Sequence, residues 1–174
     1  MDVEDDHPAP EELESREPSV EDLVELCRQL NARGARYVVV GGFAIRNAGY
    51  VRQTMDIDLL IDTDLVNEAR VYESLRYLPD QAVCELGPGE VAQYAVVRVA
   101  DEIVIDLMQS AAGIDYAEAS LDVVIREVDG VAIPFASPRL LWRMKASTHR
   151  DKDAVDLVFL REWFAARGEV PPTC

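Results

Sequence analysis

The stretch Val38 to Asp62, VVVGGFAIRNAGYVRQTMDIDLLID, constrains the chain more than any other. Three contiguous valines are β-branched and predict a strand buried on both faces; Gly41-Gly42 directly after them predicts a tight backbone turn into a short helix, Phe43 to Ala48, ended by Gly49. A second strand follows as MDIDLLID. Side chains alternate across a strand, so Asp56 and Asp58 share one face while Ile57, Leu59 and Ile61 occupy the other. Two carboxylates thus converge beside a glycine turn.

Like charges on one face of a largely apolar strand repel, and removing them from water is costly, so the pair calls for something positive between them. All-oxygen ligation suits magnesium, or manganese, with one or two carboxylates completed by water and substrate phosphates. Backbone N–H groups exposed where a glycine turn opens a helix favour phosphate. A metal site and a phosphate site would therefore adjoin.

Elsewhere the elements follow from local signals. Ser19 predicts the N-cap of a helix over Val20 to Ala32, whose Leu23, Leu26, Cys27 and Leu30 recur at helical spacing, and Tyr37 to Val40 is the first strand. Asp64 caps a helix that runs to about Tyr77. Val91 to Val99 and Glu102 to Met108 read as strands joined by an Ala100-Asp101 turn. In the second of these Asp106 shares a face with Val104 and Met108, opposite Ile103, Ile105 and Leu107, which makes it a third carboxylate candidate. Leu121 to Glu127 and Val131 to Phe135 form a hairpin about Val128-Asp129-Gly130, and Ser137-Pro138 opens the first of two C-terminal helices.

The runs GGFAIRNAG and RQTMDIDLLID resemble the nucleotidyltransferase superfamily that includes DNA polymerase β, in particular its small bacterial branch with abortive-infection and toxin-type members. That resemblance implies a Gly-Gly pair ahead of an Asp-x-Asp strand, a third carboxylate from a later strand, an Arg-x-Thr matched by Arg52 and Thr54, and a late Lys followed by a basic-acidic cluster matched by Lys145, Arg150, Lys152, Asp153 and Asp156. It implies a mixed α/β domain of the minimal nucleotidyltransferase type, a short mixed sheet packed by helices. In the activity it implies, Asp56, Asp58 and Asp106 hold divalent metal, and Asp106 also helps to deprotonate the acceptor. Gly41, Gly42, Arg52, Thr54, Lys145 and Lys152 meet the nucleotide, and Asp153 and Asp156 support them. A nucleoside monophosphate would pass from an NTP to an acceptor hydroxyl with release of pyrophosphate. Phe43 stands where many members carry Ser or Thr.

Composition bounds the partners. The 174 residues suit one domain, residues 19–174, after an acidic, proline-containing tail, residues 1–18, that buries too little to fold. A formal net charge of −16 argues against gripping polyanions unaided, and leaves the acceptor as a small molecule, a protein or an RNA end, with a partner protein able to present it. Three widely spaced cysteines, no signal-peptide pattern and no long apolar span read as cytoplasmic and reduced, with no membrane. Arg52 either touches phosphate or holds Asp56. The alternative to an enzyme is a protein of the same fold that binds nucleotide without catalysis, or that acts as half of a toxin-antitoxin pair.

Overall fold

In a computed structural model, residues 14–173 are described; His7, Cys174 and most of the acidic tail lie outside them. Helix α1, Val20–Ala32, opens with a capping box in which the Ser19 hydroxyl accepts from the Asp22 amide and the Asp22 carboxylate accepts from the Ser19 amide. Residues 14–18, assigned from sequence to the tail, run alongside the domain. Ser15 donates its hydroxyl to the Asp101 carbonyl (2.6 Å), the Arg16 amide donates to the Glu102 carbonyl (2.9 Å), and the Arg16 guanidinium forks onto Asp22.

Strand β1, Tyr37–Val40, passes without a loop into α2, Gly41–Asn47, two residues earlier than the sequence suggests because Val40 itself serves as N-cap. Strand β2, Ile57–Ile61, carries Asp58, and Asp56 lies in the bend before it. Helix α3, Leu65–Leu75, is capped by Asp64, which accepts from the Val66 and Asn67 amides. Then come β3, Val97–Ala100, and β4, Val104–Met108. A small hairpin of β5, Ser110–Ala111, and β6, Ile114–Asp115, precedes the one-turn α4, Tyr116–Ala119. The β7–β8 hairpin, Val123–Val128 and Val131–Ala136, turns at Asp129 and Gly130, both at positive φ, as a two-residue hairpin of primed type requires. Helices α5, Pro138–Ala146, and α6, Asp151–Ala166, close the fold.

Six strands form one mixed sheet in the order β3-β4-β2-β1-β8-β7, with β2/β4 and β1/β8 parallel and the remaining pairs antiparallel. Central strands buried on both faces carry continuous apolar runs, which is how VVV and DLLI read. Val39, Leu59 and Leu107 stand opposite one another on one face, all fully buried. Tyr37 shares that face and donates its hydroxyl to Asn31 of α1 (2.8 Å), and α1 packs on α3. The other face carries the acidic residues.

Residues 91–93, predicted as strand, form a 3-10 turn instead. The buried carboxylate of Glu68 on α3 accepts from the amides of Gly89 (2.5 Å) and Val91 (3.2 Å), so these donors are taken before they can join a ladder. The turn between β3 and β4 is also longer than predicted. The Asp101 carboxylate accepts from the amides of Asp80, Ala82 and Glu102, which holds residues 101–103 out of the strands.

Candidate active site

Sheet register assembles the site. Val40 is paired with Asp58 across β1 and β2, Asp58 with Asp106 across β2 and β4, and Asp106 with Arg98 across β4 and β3. Directly paired residues point to the same face, so one row runs Val40, Asp58, Asp106, Arg98. Asp56, two residues before Asp58, joins that side. One oxygen from each of Asp56, Asp58 and Asp106 lies within 4.8 Å of the others. The predicted third carboxylate is in place.

The glycine pair makes room for this row. Gly41 has φ +64°, and a Cβ there would overlap the Asp58 carboxylate, 2.8 Å from its Cγ; a Cβ on Gly42 would stand 2.5 Å from Thr54 Oγ1. Thr54 is buried and donates its hydroxyl to the Asp56 carbonyl (3.1 Å), fixing the bend that presents Asp56. In this structure, then, both glycines and Thr54 serve the carboxylates by close packing. Phe43 is buried in the core, with the Arg46 guanidinium over its ring.

Three carboxylates this close oppose one another's ionisation. Burial, together with the charges of Asp56 and Asp106, pushes the Asp58 carboxyl up to about 7, and burial with the Asp106 charge pushes Asp56 up. The one guanidinium in the row answers only part of this. Arg98 donates from Nε and Nη2 to the two oxygens of Asp106 (2.9 Å each), and from Nη2 to Asp56 Oδ2 (3.3 Å). Its hydrogen bonds to Asp106 hold the Arg98 guanidinium above its ordinary pKa. Sequence reading missed Arg98, whose place depends on the β3–β4 register.

A second charged group lines the same cavity as the carboxylates, of about 660 Å³. Lys145, on α5, is buried and sets its ammonium 3.0 Å from Asp153 Oδ1 and 3.0 Å from Asp156 Oδ2 of α6. Thr148 (2.7 Å) and Arg150 (2.9 Å) also donate to Asp153. Burial works against ionisation of Asp153, but the hydrogen bonds from Thr148, Lys145 and Arg150 outweigh it and hold the carboxyl below its usual range. Arg52 donates from Nη2 to Asp156 Oδ2 (3.0 Å) and from Nη1 to the Gln53 carbonyl, while its Nε lies 2.9 Å from Asp156 Oδ1 as an ion-pair contact without hydrogen-bond alignment. The carboxylate that Arg52 meets is Asp156, not the Asp56 of the sequence-based alternative. Tyr50 stacks on Phe159 at 5.1 Å and ties the same loop to α6. Lys152 is exposed and lines the cavity. Asp153 and Asp156, three residues apart, share the inward face of α6.

The fold is a mixed α/β domain whose sheet brings three carboxylates together on a cavity that a cluster of Lys145, Arg52 and Arg150 with Asp153 and Asp156 also lines. The chain belongs to the family described as nucleotidyl transferase of unknown function (DUF2204), which residues 19–168 match. Among solved structures it is similar to a candidate nucleotidyltransferase from Thermotoga maritima, at 15% identity over 87% of this chain and 98% of that one, with a TM-score of 0.47. No curated protein matches it significantly. Among the described residues no helix is long and apolar enough to cross a membrane.

Proposed function

We propose that this protein, as a member of the DNA polymerase β type, transfers a nucleoside monophosphate from an NTP to an acceptor hydroxyl and releases pyrophosphate. The observation that carries this reading is the in-register row of Asp58 and Asp106, with Asp56 beside it, on a cavity that Lys145, Arg52, Arg150 and Lys152 also line. The donor set fits a hard divalent cation such as Mg2+ or Mn2+: three carboxylates lie within 4.8 Å, and their mutual repulsion is only partly relieved by Arg98. Such a cation, once bound, supplies positive charge to the phosphate oxygens.

The remaining roles belong to the chain. Asp56 and Asp58 hold the cation, and the glycine pair keeps the wall beside Asp58 free of side chains. Asp106 accepts the acceptor's proton as its oxygen attacks the α-phosphorus; the bond from that phosphorus to the pyrophosphate oxygen breaks, and pyrophosphate leaves with the electron pair. Lys145, Arg52 and Arg150 together carry one more positive charge than Asp153 and Asp156 carry negative, so with Lys152 they form a net cationic cluster on the cavity, suited to a leaving polyphosphate. The acceptor is a small molecule, a protein or an RNA end.

Two radiolabels test the reading. Incubated with a cell extract and Mg2+, the protein is expected to move label from α-labelled NTP into acceptor and none from γ-labelled NTP, and to move neither in EDTA. Label from the γ-position would make it a phosphoryl transferase, and transfer in EDTA would remove the metal.

A further inference from the structure

The geometry points to Arg98 as a binding residue that serves two anions in turn. In the cation-free protein it closes the carboxylate triad, and when a divalent cation takes the carboxylates its freed guanidinium binds the phosphates of the incoming nucleotide. This rests on the reading of Asp56, Asp58 and Asp106 as a divalent-cation site.

Three observations carry it. The fork from Arg98 uses both oxygens of Asp106 and Oδ2 of Asp56, so any oxygen that Asp106 offers to a cation is already engaged and arginine and cation compete for the triad. Asp58 lies outside the fork: of the three carboxylates within 4.8 Å of one another, only Asp56 and Asp106 receive a hydrogen bond from Arg98, so the arginine reaches two members of the triad and not the third. Finally, Arg98 sits on the edge strand β3, where buried Val97 and Val99 pin the backbone while its own side chain is 60% exposed. The guanidinium can leave the carboxylates by rotation about its own side-chain bonds, with no movement of the sheet.

The place it turns to is the cavity it already lines. There Lys145, Arg52 and Arg150 are bound to Asp153 and Asp156. A released guanidinium adds a planar, multi-donor group beside the triad, a form suited to phosphate oxygens. Cation and nucleotide thus enter a coupled site: the first makes available a residue that the second uses.

Titration of Mn2+ alone, followed by electron paramagnetic resonance, and of ATP at saturating Mn2+, followed by calorimetry, tests this with Arg98→Gln and Arg98→Lys. Without the competing fork, Arg98→Gln is expected to bind Mn2+ about tenfold more tightly than wild type and, with Mn2+ present, ATP about tenfold more weakly. Arg98→Lys keeps the charge and loses the fork, so it is expected to bind Mn2+ severalfold more tightly as well. Melting curves in EDTA establish that each variant is folded; should the Gln variant not fold, the Lys variant carries the test. Wild-type Mn2+ affinity in Arg98→Lys would reduce the effect to net charge and overturn the exchange, while leaving the cation site standing, as would an ATP affinity unchanged by both variants. Failure of the wild-type protein to bind Mn2+ at all would overturn the exchange and the cation site together.

Discussion

Asp58 occupies the most constrained position in the molecule. It is paired with Val40 on one side and Asp106 on the other, with Gly41 too close to accept a Cβ. Its carboxyl titrates near 3.8 in an unfolded chain and at about 7 in the folded one. Between those values the folded protein holds a proton that the unfolded chain has released, so this group's contribution is present below pH 4 and lost as pH rises through 7. In chelator, stability is therefore expected to fall over that window by about 2 kcal/mol, or about 4–8 °C in Tm, after discounting for partial exposure. Melting curves of wild type and Asp58→Asn from pH 4.5 to 8 check this. The Asn variant should lose most of the slope, and an equal slope in both would assign it to other groups.

At the scale of elements, one buried ammonium joins two helices and a loop. Lys145 of α5 meets Asp153 and Asp156 of α6, and Asp156 in turn holds Arg52 of the loop before β2. The two aspartates are 2% and 1% exposed, and a buried carboxylate deprived of its cation is costly. Lys145→Ala is expected to destabilise the protein by about 3 kcal/mol in denaturant unfolding, with Arg52 and Arg150 still offsetting part of the charge. A loss under about 0.5 kcal/mol would mean that the cluster is not what binds α5 to α6.

What the sequence made legible was local or periodic. The caps at Ser19, Asp64 and Ser137, the valine strand and the shared face of Asp56 and Asp58 each follow from a few adjacent residues. Arg98 was hidden by register. A two-residue turn at Ala100-Asp101 pairs Arg98 with Ile103, whereas the longer turn held by the Asp101 carboxylate pairs it with Asp106. Asp101 reads as an ordinary turn residue until Asp80 and Ala82 are brought to it from a distant segment. Likewise, the three-residue spacing of Asp153 and Asp156 gives one helix face, but only the packing of α5 on α6 shows that Lys145 closes on it. Thr54 and the glycine pair show the same gap: the resemblance implies nucleotide contacts for them, while their packing beside Asp58 and the Asp56 bend becomes visible only with the strands in register.

Over the whole molecule, charge is divided between cavity and surface. Five basic and five acidic side chains line the cavity, so it is formally neutral, and the net charge of −16 lies on the rest of the chain. Long-range repulsion of polyanions therefore comes from the surface and not from the cavity. In the proposed reaction Asp106 is the residue that separates nucleotide transfer from nucleotide binding. Asp106→Asn removes one of three mutually repelling carboxylates and leaves Arg98 with Asp56, so its stability should lie within about 1 kcal/mol of wild type. The decisive measurement is the rate of label transfer from α-labelled NTP in the presence of Mg2+ by wild type and Asp106→Asn, run at nucleotide concentrations that saturate both. The account predicts that the variant binds Mg–NTP and transfers it more slowly by a factor on the order of 10² or more; equal rates in the two proteins would contradict it.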